Sequence, residues 1–233
     1  MEKKCTIKAP FFEIGPKAYL YGDDVIALAK AADAASEKYG VDIIFTTPVA
    51  EISRVKEATR HIHVFAPHMD PLRPGRGLAD ILPESLVAAG AEGVMLNHCE
   101  KPLTLAVLRE TIARAKEVGL TTIVCADSMA EASMIAMLHP DIIVAEPSEL
   151  IGTGVSVGPE YVQAATDAVK SVDPDILVLT AAGIAGGQDV YDTIIAGADA
   201  TGSSSGVAKA ADRAAMVDEM ISAARRAWDE RHK

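Results

Sequence analysis

Short apolar runs alternate along this chain with longer stretches whose apolar residues recur every three or four positions. The short runs are Cys5–Lys8, Val41–Thr46, His61–Ala66, Gly93–Leu96, Thr121–Ala126, Asp141–Ala145, Asp175–Thr180 and Ala198–Gly202. Most are rich in branched aliphatic residues and bounded by polar or turn-forming ones, as buried strands are. Between them a helical period covers Asp24–Lys38, Ala50–Ala58, Pro83–Ala89, Leu103–Val118, Met129–Leu138, Pro159–Ser171, Gln188–Ala196 and Ala210–Arg231. Strand alternating with helix predicts parallel pairing through right-handed crossovers. Six such units would suit an open doubly wound sheet, whereas eight favour closure. The pattern therefore predicts an α/β fold, a (β/α)8 barrel. No Ser/Gly linker or long charge run divides the chain, which predicts one domain over residues 1–233.

Two connections interrupt the regularity. Ala9–Gly22 is rich in Pro, Gly and aromatic residues, and Pro67–Asp80 carries Pro71, Pro74, Gly75 and Gly77. Both follow predicted strands, so both belong to the face on which such barrels carry their active sites. The first exceeds the ~2–6 residues usual for a strand-to-helix connection. Length of that kind shapes a pocket or an interface.

Composition narrows the classes. Apolar residues make up 49% of the chain and aromatics only 4%, so the core is aliphatic. A formal net charge of −11 argues against nucleic acid, whose binding needs Lys and Arg on phosphates. It leaves room for a small anionic metabolite held by backbone amides. No apolar run approaches the ~20 residues of a membrane helix. Met1-Glu2-Lys3-Lys4 leads into no signal-peptide core, and Cys5, Cys99 and Cys125 are odd in number and scattered. The expectation is a reduced, cytoplasmic protein without a disulfide framework.

Candidate chemistry collects where predicted strands end. Glu146 follows Asp141–Ala145 and precedes Pro147, with Gly152 and Gly154 further on. A carboxylate at a strand's end, beneath a stiffened and then glycine-bearing segment, suits a general base under a lid. His98 follows Gly93–Leu96 and precedes the helix expected from Leu103, whose N-terminal dipole would hold the imidazole neutral. Lys8 ends the first predicted strand as a candidate anion binder, and Thr6 shares its face. Three turns with small residues follow the late strands: Gly152–Gly154, Ala182–Gly187 and Gly202–Gly206. Turns of this kind let amides converge on phosphate oxygens. Cys99 reads as packing, since no partner base accompanies it. His61 and His63 share a strand face but lack a second ligand cluster, so no metal is expected.

These residues resemble the triosephosphate isomerase family, in its shorter archaeal-type branch, from about Val64 to the C-terminus. The likeness rests on 64–71 (VFAPHMDP), 96–100 (LNHCE), 145–154 (AEPSELIGTG), 182–184 (AGI) and 204–209 (SSGVAK). It implies a TIM barrel and a cofactor-independent aldose–ketose isomerase working through an enediolate. Glu146 would move the proton and His98 would polarise the carbonyl. Lys8 would stand for the family's lysine, with Glu100 as its ion-pair partner. Gly152, Gly183, Ser204 and Ser205 would contact phosphate, with Asn97 shaping the site. The implied partners are a small phosphorylated sugar and further copies of the chain, as a homodimer or homotetramer.

The front of the chain departs from the family. Thr6 stands where Asn is usual two residues before the lysine, Leu78–Ala79 where Thr-Gly reaches across the dimer, and Pro67 near a usual Gln. These departures leave two substrates open, a triose phosphate and a four-carbon ketose phosphate such as erythrulose phosphate. A non-catalytic phosphate-binding barrel and a Schiff-base aldolase using Lys8 are further alternatives.

Overall fold

The computed structural model describes residues 6–233. Eight parallel strands close into a barrel in sequence order: β1 (Phe11–Ile14), β2 (Asp42–Thr46), β3 (His63–Ala66), β4 (Gly93–Leu96), β5 (Thr121–Ala126), β6 (Ile142–Ala145), β7 (Leu177–Thr180) and β8 (Ala200–Ser203). Closure is made by β1 against β8, with Phe11 opposite Ala200 and Ile14 opposite Ser203. The intervening helices are α1 (Asp23–Tyr39), α2 (Ile52–Ala58), α3 (Pro83–Ala88), α4 (Leu105–Val118), α5 (Met129–Ala136), α6 (Pro159–Lys170) and α7 (Gly187–Ile195). After β8 come a single turn, α8 (Ser205–Ala208), and a long closing helix, α9 (Arg213–Arg231). The expected (β/α)8 TIM barrel is the fold.

Alternation along the strands builds two cores. Phe11, Ile44, Phe65, Ile123, Cys125, Ile142, Val144, Leu179 and Ala200 point inward and fill the barrel. Their neighbours Phe12, Ile14, Ile43, Phe45, Val64, Val94, Val124, Ile143 and Val178 point outward and pack beneath the helices. A parallel sheet covered on both faces reads as a continuous apolar run for this reason. Helix ends are set by local chemistry: the Thr104 and Ser128 side chains accept from the amides of Val107 and Glu131, and Gly40 and Gly119 end α1 and α4 in left-handed conformations. Among the described residues, no helix is long and apolar enough to cross a membrane.

One element differs from the sequence reading. The first strand is not Cys5–Lys8, whose Cys5 lies outside the described residues, but Phe11–Ile14. The alternation Thr6-Ile7-Lys8 imitates a strand, whereas Pro10 and Glu13 disguise the real one as a loop. Proline is tolerated here because it precedes the strand and is not asked to donate to the ladder. Glu13 is tolerated because an inward position near a strand's C-terminal end opens on a cavity. The connection before α1 therefore runs from Gly15 to Gly22, shorter than the expected Ala9–Gly22.

Candidate active site

A cavity of about 1010 Å³ opens where the strands' C-terminal ends meet the connections to the helices. Glu146, His98, Glu100, Gly152, Gly183, Ser204 and Ser205 all contribute to its wall. Asn97 stands behind the wall. Thr6 and Lys8 take no part in it. Both are exposed and precede β1, and the Lys8 amide donates to Asp42 Oδ2 (2.8 Å) at the start of β2, the opposite rim of the barrel. The lysine that faces the cavity is Lys17, three residues beyond the end of β1. Misplacing the strand by six residues misplaced its lysine. The sign that could have found it is the pattern itself, an apolar run Phe11–Ile14 followed by Gly15-Pro16-Lys17, the same strand–turn–polar order that marks His98 and Glu146.

Glu146 sits one residue past β6, and its amide donates to Ala126 O at the end of β5 (3.1 Å). Burial pushes its carboxyl up to about 7. The Lys17 ammonium opposes that rise, Asp127 adds to it, and a hydrogen bond from the Ala182 backbone opposes it. A carboxyl poised at neutrality suits proton transfer from carbon. The segment above it begins with Pro147, makes one tight turn over Ser148–Leu150, and passes Gly152 and Gly154 at φ 75° and 74°. The Thr153 hydroxyl donates to Leu150 O (2.8 Å), and the Val155 amide donates back to that hydroxyl (3.1 Å).

His98 is held in one tautomer. The Glu100 amide donates to its Nδ1 (3.1 Å), and an amide can only donate, so Nδ1 is the bare nitrogen and Nε2 carries the hydrogen. Burial, then the Lys17 charge, holds the imidazole below its ordinary range. The sequence reading placed this effect on the N-terminus of a helix from Leu103. That helix begins at Leu105, and the turn 98–101 supplies the amide instead. Asn97 makes the turn possible, adopting φ 58°. Its amide group donates to Cys125 O (3.0 Å) and Glu131 Oε1 (3.2 Å), and its oxygen accepts from the Leu103 amide (2.9 Å). Lys17 Nζ meets Glu100 Oε1 at 3.0 Å, tying the first connection to the fourth. Burial works against ionisation of Glu100, but that contact outweighs it and holds the carboxyl below its usual range. Burial raises the Cys99 thiol, which therefore stays protonated.

The opposite wall is backbone. Ala182 and Gly183 both have positive φ, 91° and 69°. A Cβ on Gly183 would lie 2.0 Å from Val155 O, so only glycine lets the two connections touch. The Ser203 hydroxyl donates to Ile184 O (2.9 Å) and the Ser204 hydroxyl to Gly15 O (2.5 Å). With those hydroxyls engaged in holding the connections together, the backbone around Gly183, the Ser205 hydroxyl and the amides of the first turn of α8 remain as donors for an anion on this wall. Elsewhere, His63 Nδ1 lies 2.8 Å from Glu92 in a half-buried pair, and His61 Nε2 lies 3.6 Å from Glu37 on the surface. Among the described residues, no three His, Cys, Asp or Glu side chains are grouped as a metal site.

Comparison with known proteins follows the same lines. The family model described as "Triosephosphate isomerase" matches residues 16–223. The triosephosphate isomerase of Sulfurisphaera tokodaii is 37% identical over 228 residues, covering 96% of this chain and 99% of that one. That of Saccharolobus solfataricus is 36% identical, covering 95% and 99%. That of Methanocaldococcus jannaschii is 36% identical, covering 86% and 92%.

Proposed function

Since this chain belongs to the triosephosphate isomerase family, we propose that it interconverts glyceraldehyde 3-phosphate and dihydroxyacetone phosphate without a cofactor. One observation carries the reading: the Glu146 carboxyl and the His98 imidazole line one cavity, the first poised near neutrality and the second locked with its hydrogen on Nε2. A carboxylate base beside a neutral imidazole is the well-known arrangement of this family. Glu146 removes a proton from the carbon next to the carbonyl. Nε2–H of His98 donates to the carbonyl oxygen, and the electron pair left by the proton forms the carbon–carbon double bond of an enediolate. The proton held by Glu146 then returns to the neighbouring carbon, and the oxygens exchange roles through His98. Lys17 offsets the developing negative charge. The backbone around Gly183 and the first turn of α8 hold the phosphate.

The four-carbon alternative drew on Thr6, which lies outside the cavity, together with the departures at Pro67 and Leu78–Ala79 and the long first connection, which is shorter than expected; no observation favours it. Association into a homodimer or homotetramer rests on the family resemblance, and Leu78, wholly exposed on the connection after β3 (103%), is the position at which to probe it. Sedimentation equilibrium of wild type and Leu78→Glu tests that, a wholly monomeric wild type overturning it. The activity itself is tested by a coupled isomerase assay on both triose phosphates. Glu146→Gln lowers kcat by ~10²–10⁴ or more, and undiminished turnover in that variant removes the mechanism.

A further inference from the structure

A buried carboxyl at the base of the cavity plays no part in the isomerisation just described. Along β1, Phe11 and Glu13 face inward while Phe12 and Ile14 face outward. The polar member of the inward pair stands at the end of the strand nearer the cavity. Glu13 is 9% exposed, shares the cavity wall with Lys17, His98 and Glu146, and its Oε1 has no hydrogen-bond partner. A buried polar atom left in that state is costly, which makes it a place to look for a ligand group that completes it. Two glycines leave room for it. An added Cβ on Gly15 would lie 3.0 Å from Oε1, and one on Gly202 would lie 3.2 Å from Oε2. The Glu13 carboxyl thus occupies space that a side chain at position 15 or 202 would contest.

We propose that Glu13 is a further substrate-contacting residue, supplying a hydrogen-bond donor to a substrate oxygen in the cavity it shares with Glu146. The role rests on the isomerase reading above. A carboxyl donates only while it keeps its proton, and the surroundings of Glu13 keep it there. Thr46 of β2 faces it, as do Cys125 of β5, Glu146 after β6, Gly202 of β8 and Lys17 after β1; His98 and Glu100 line the same cavity. Burial pushes the Glu13 carboxyl up to about 7. The Thr46 hydroxyl, close by but itself without a hydrogen-bond partner, opposes that rise, the charge of Glu146 adds to it and Lys17 opposes it. A charge on one carboxyl in an enclosed space disfavours a charge on its neighbour. When Glu146 is ionised and acting as base, its charge therefore adds to burial in keeping the proton on Glu13. Its hydrogen then meets the substrate oxygen, and the neutral acid adds no charge to repel the enediolate.

The test is kcat/KM from pH 5.5 to 9 on glyceraldehyde 3-phosphate for wild type, Glu13→Gln and Glu13→Leu, with circular dichroism to confirm folding. Wild type gives a bell, the acid limb from Glu146 and the alkaline limb from loss of the Glu13 hydrogen. Glu13→Gln keeps an amide donor that does not titrate, so it stays within ~5-fold of wild type at neutral pH and loses the alkaline limb. Glu13→Leu has no donor and falls ~10²-fold or more at every pH. Rescue by the amide with loss of one limb is a result that mere support of the fold does not produce. An alkaline limb retained in Glu13→Gln, or wild-type activity in Glu13→Leu, overturns the role while leaving the isomerase reading in place. Should neither variant fold, the wild-type profile decides, and a plateau to pH 9 overturns the proposal. An inactive wild type overturns the isomerase reading, and this role with it.

Discussion

Glu146→Gln reports on stability as well as on turnover, and the sign is unusual for a carboxylate. The folded carboxyl sits at about 7 against an ordinary value of 4.5, because burial disfavours its charge. A raised acid binds its proton more tightly in the folded chain. Its contribution to stability is therefore fully present below pH ~4.5 and is lost as pH climbs through ~7. The displacement is ~2–3 pH units at ~1.4 kcal/mol each, ~3 kcal/mol in all. Most of this is given up between pH 5 and pH 8, and solvent screening at the open mouth of the cavity reduces it to ~2 kcal/mol. Glutamine has nothing to titrate. Urea unfolding of both proteins at pH 5 and pH 8, at one protein concentration, isolates the effect as a difference of differences. The intrinsic cost or gain of the amide cancels between the two pH values. Relative to wild type, the variant gains ~2 kcal/mol on going from pH 5 to pH 8, or ~4–8 °C in melting temperature for a chain of this size. Parallel pH dependence of the two proteins would refute a buried, reluctant Glu146.

Other outcomes follow from single contacts. Lys17→Ala lowers kcat/KM ~10²-fold or more while Lys8→Ala leaves it unchanged; steady-state kinetics on the two variants separates the lysine in the cavity from the one at the far rim. Gly183→Ala combines a φ of 69° with a Cβ 2.0 Å from Val155 O. It displaces the segment over Glu146 and raises KM for the phosphorylated substrate ~10-fold or more, read in the same assay. Arg114 is 5% exposed, donates to Leu72 O and contacts both Glu84 and Glu117. Arg114→Ala leaves Leu72 O without its donor while Glu117 keeps Arg73 and the exposed Glu84 turns to water; it costs ~1–2 kcal/mol in urea unfolding, loosening the connection after β3 from α4.

Much of this architecture could be read before any coordinates. Seven of the eight strands lie where apolar runs sit between helical periods, because a strand covered on both faces has no polar side to blur its pattern. The ends of β4 and β6 were legible for a related reason: Asn97-His98 and Glu146 are the first strongly polar side chains after such runs. The first strand was not, since Glu13 breaks its apolar run from inside and Ile7 offers a decoy four residues earlier. Lys17 was lost with it. Neither the donor to His98 nor the placement of Asn97 could come from periodicity, because both depend on a turn whose shape is set by tertiary partners. The raised carboxyls of Glu13 and Glu146 reflect enclosure by several strands at once, which no local window contains.

Asn97 bears on how mutational scans of this protein should be interpreted. Its left-handed φ is open to glycine at no cost, but glycine has no amide to reach Cys125, Glu131 and Leu103; aspartate tolerates the backbone yet would set a second carboxylate against Glu131. Asparagine alone among the common residues satisfies both demands. A library sorted by growth or turnover will rank position 97 as intolerant as the histidine beside it, although Asn97 does not line the cavity.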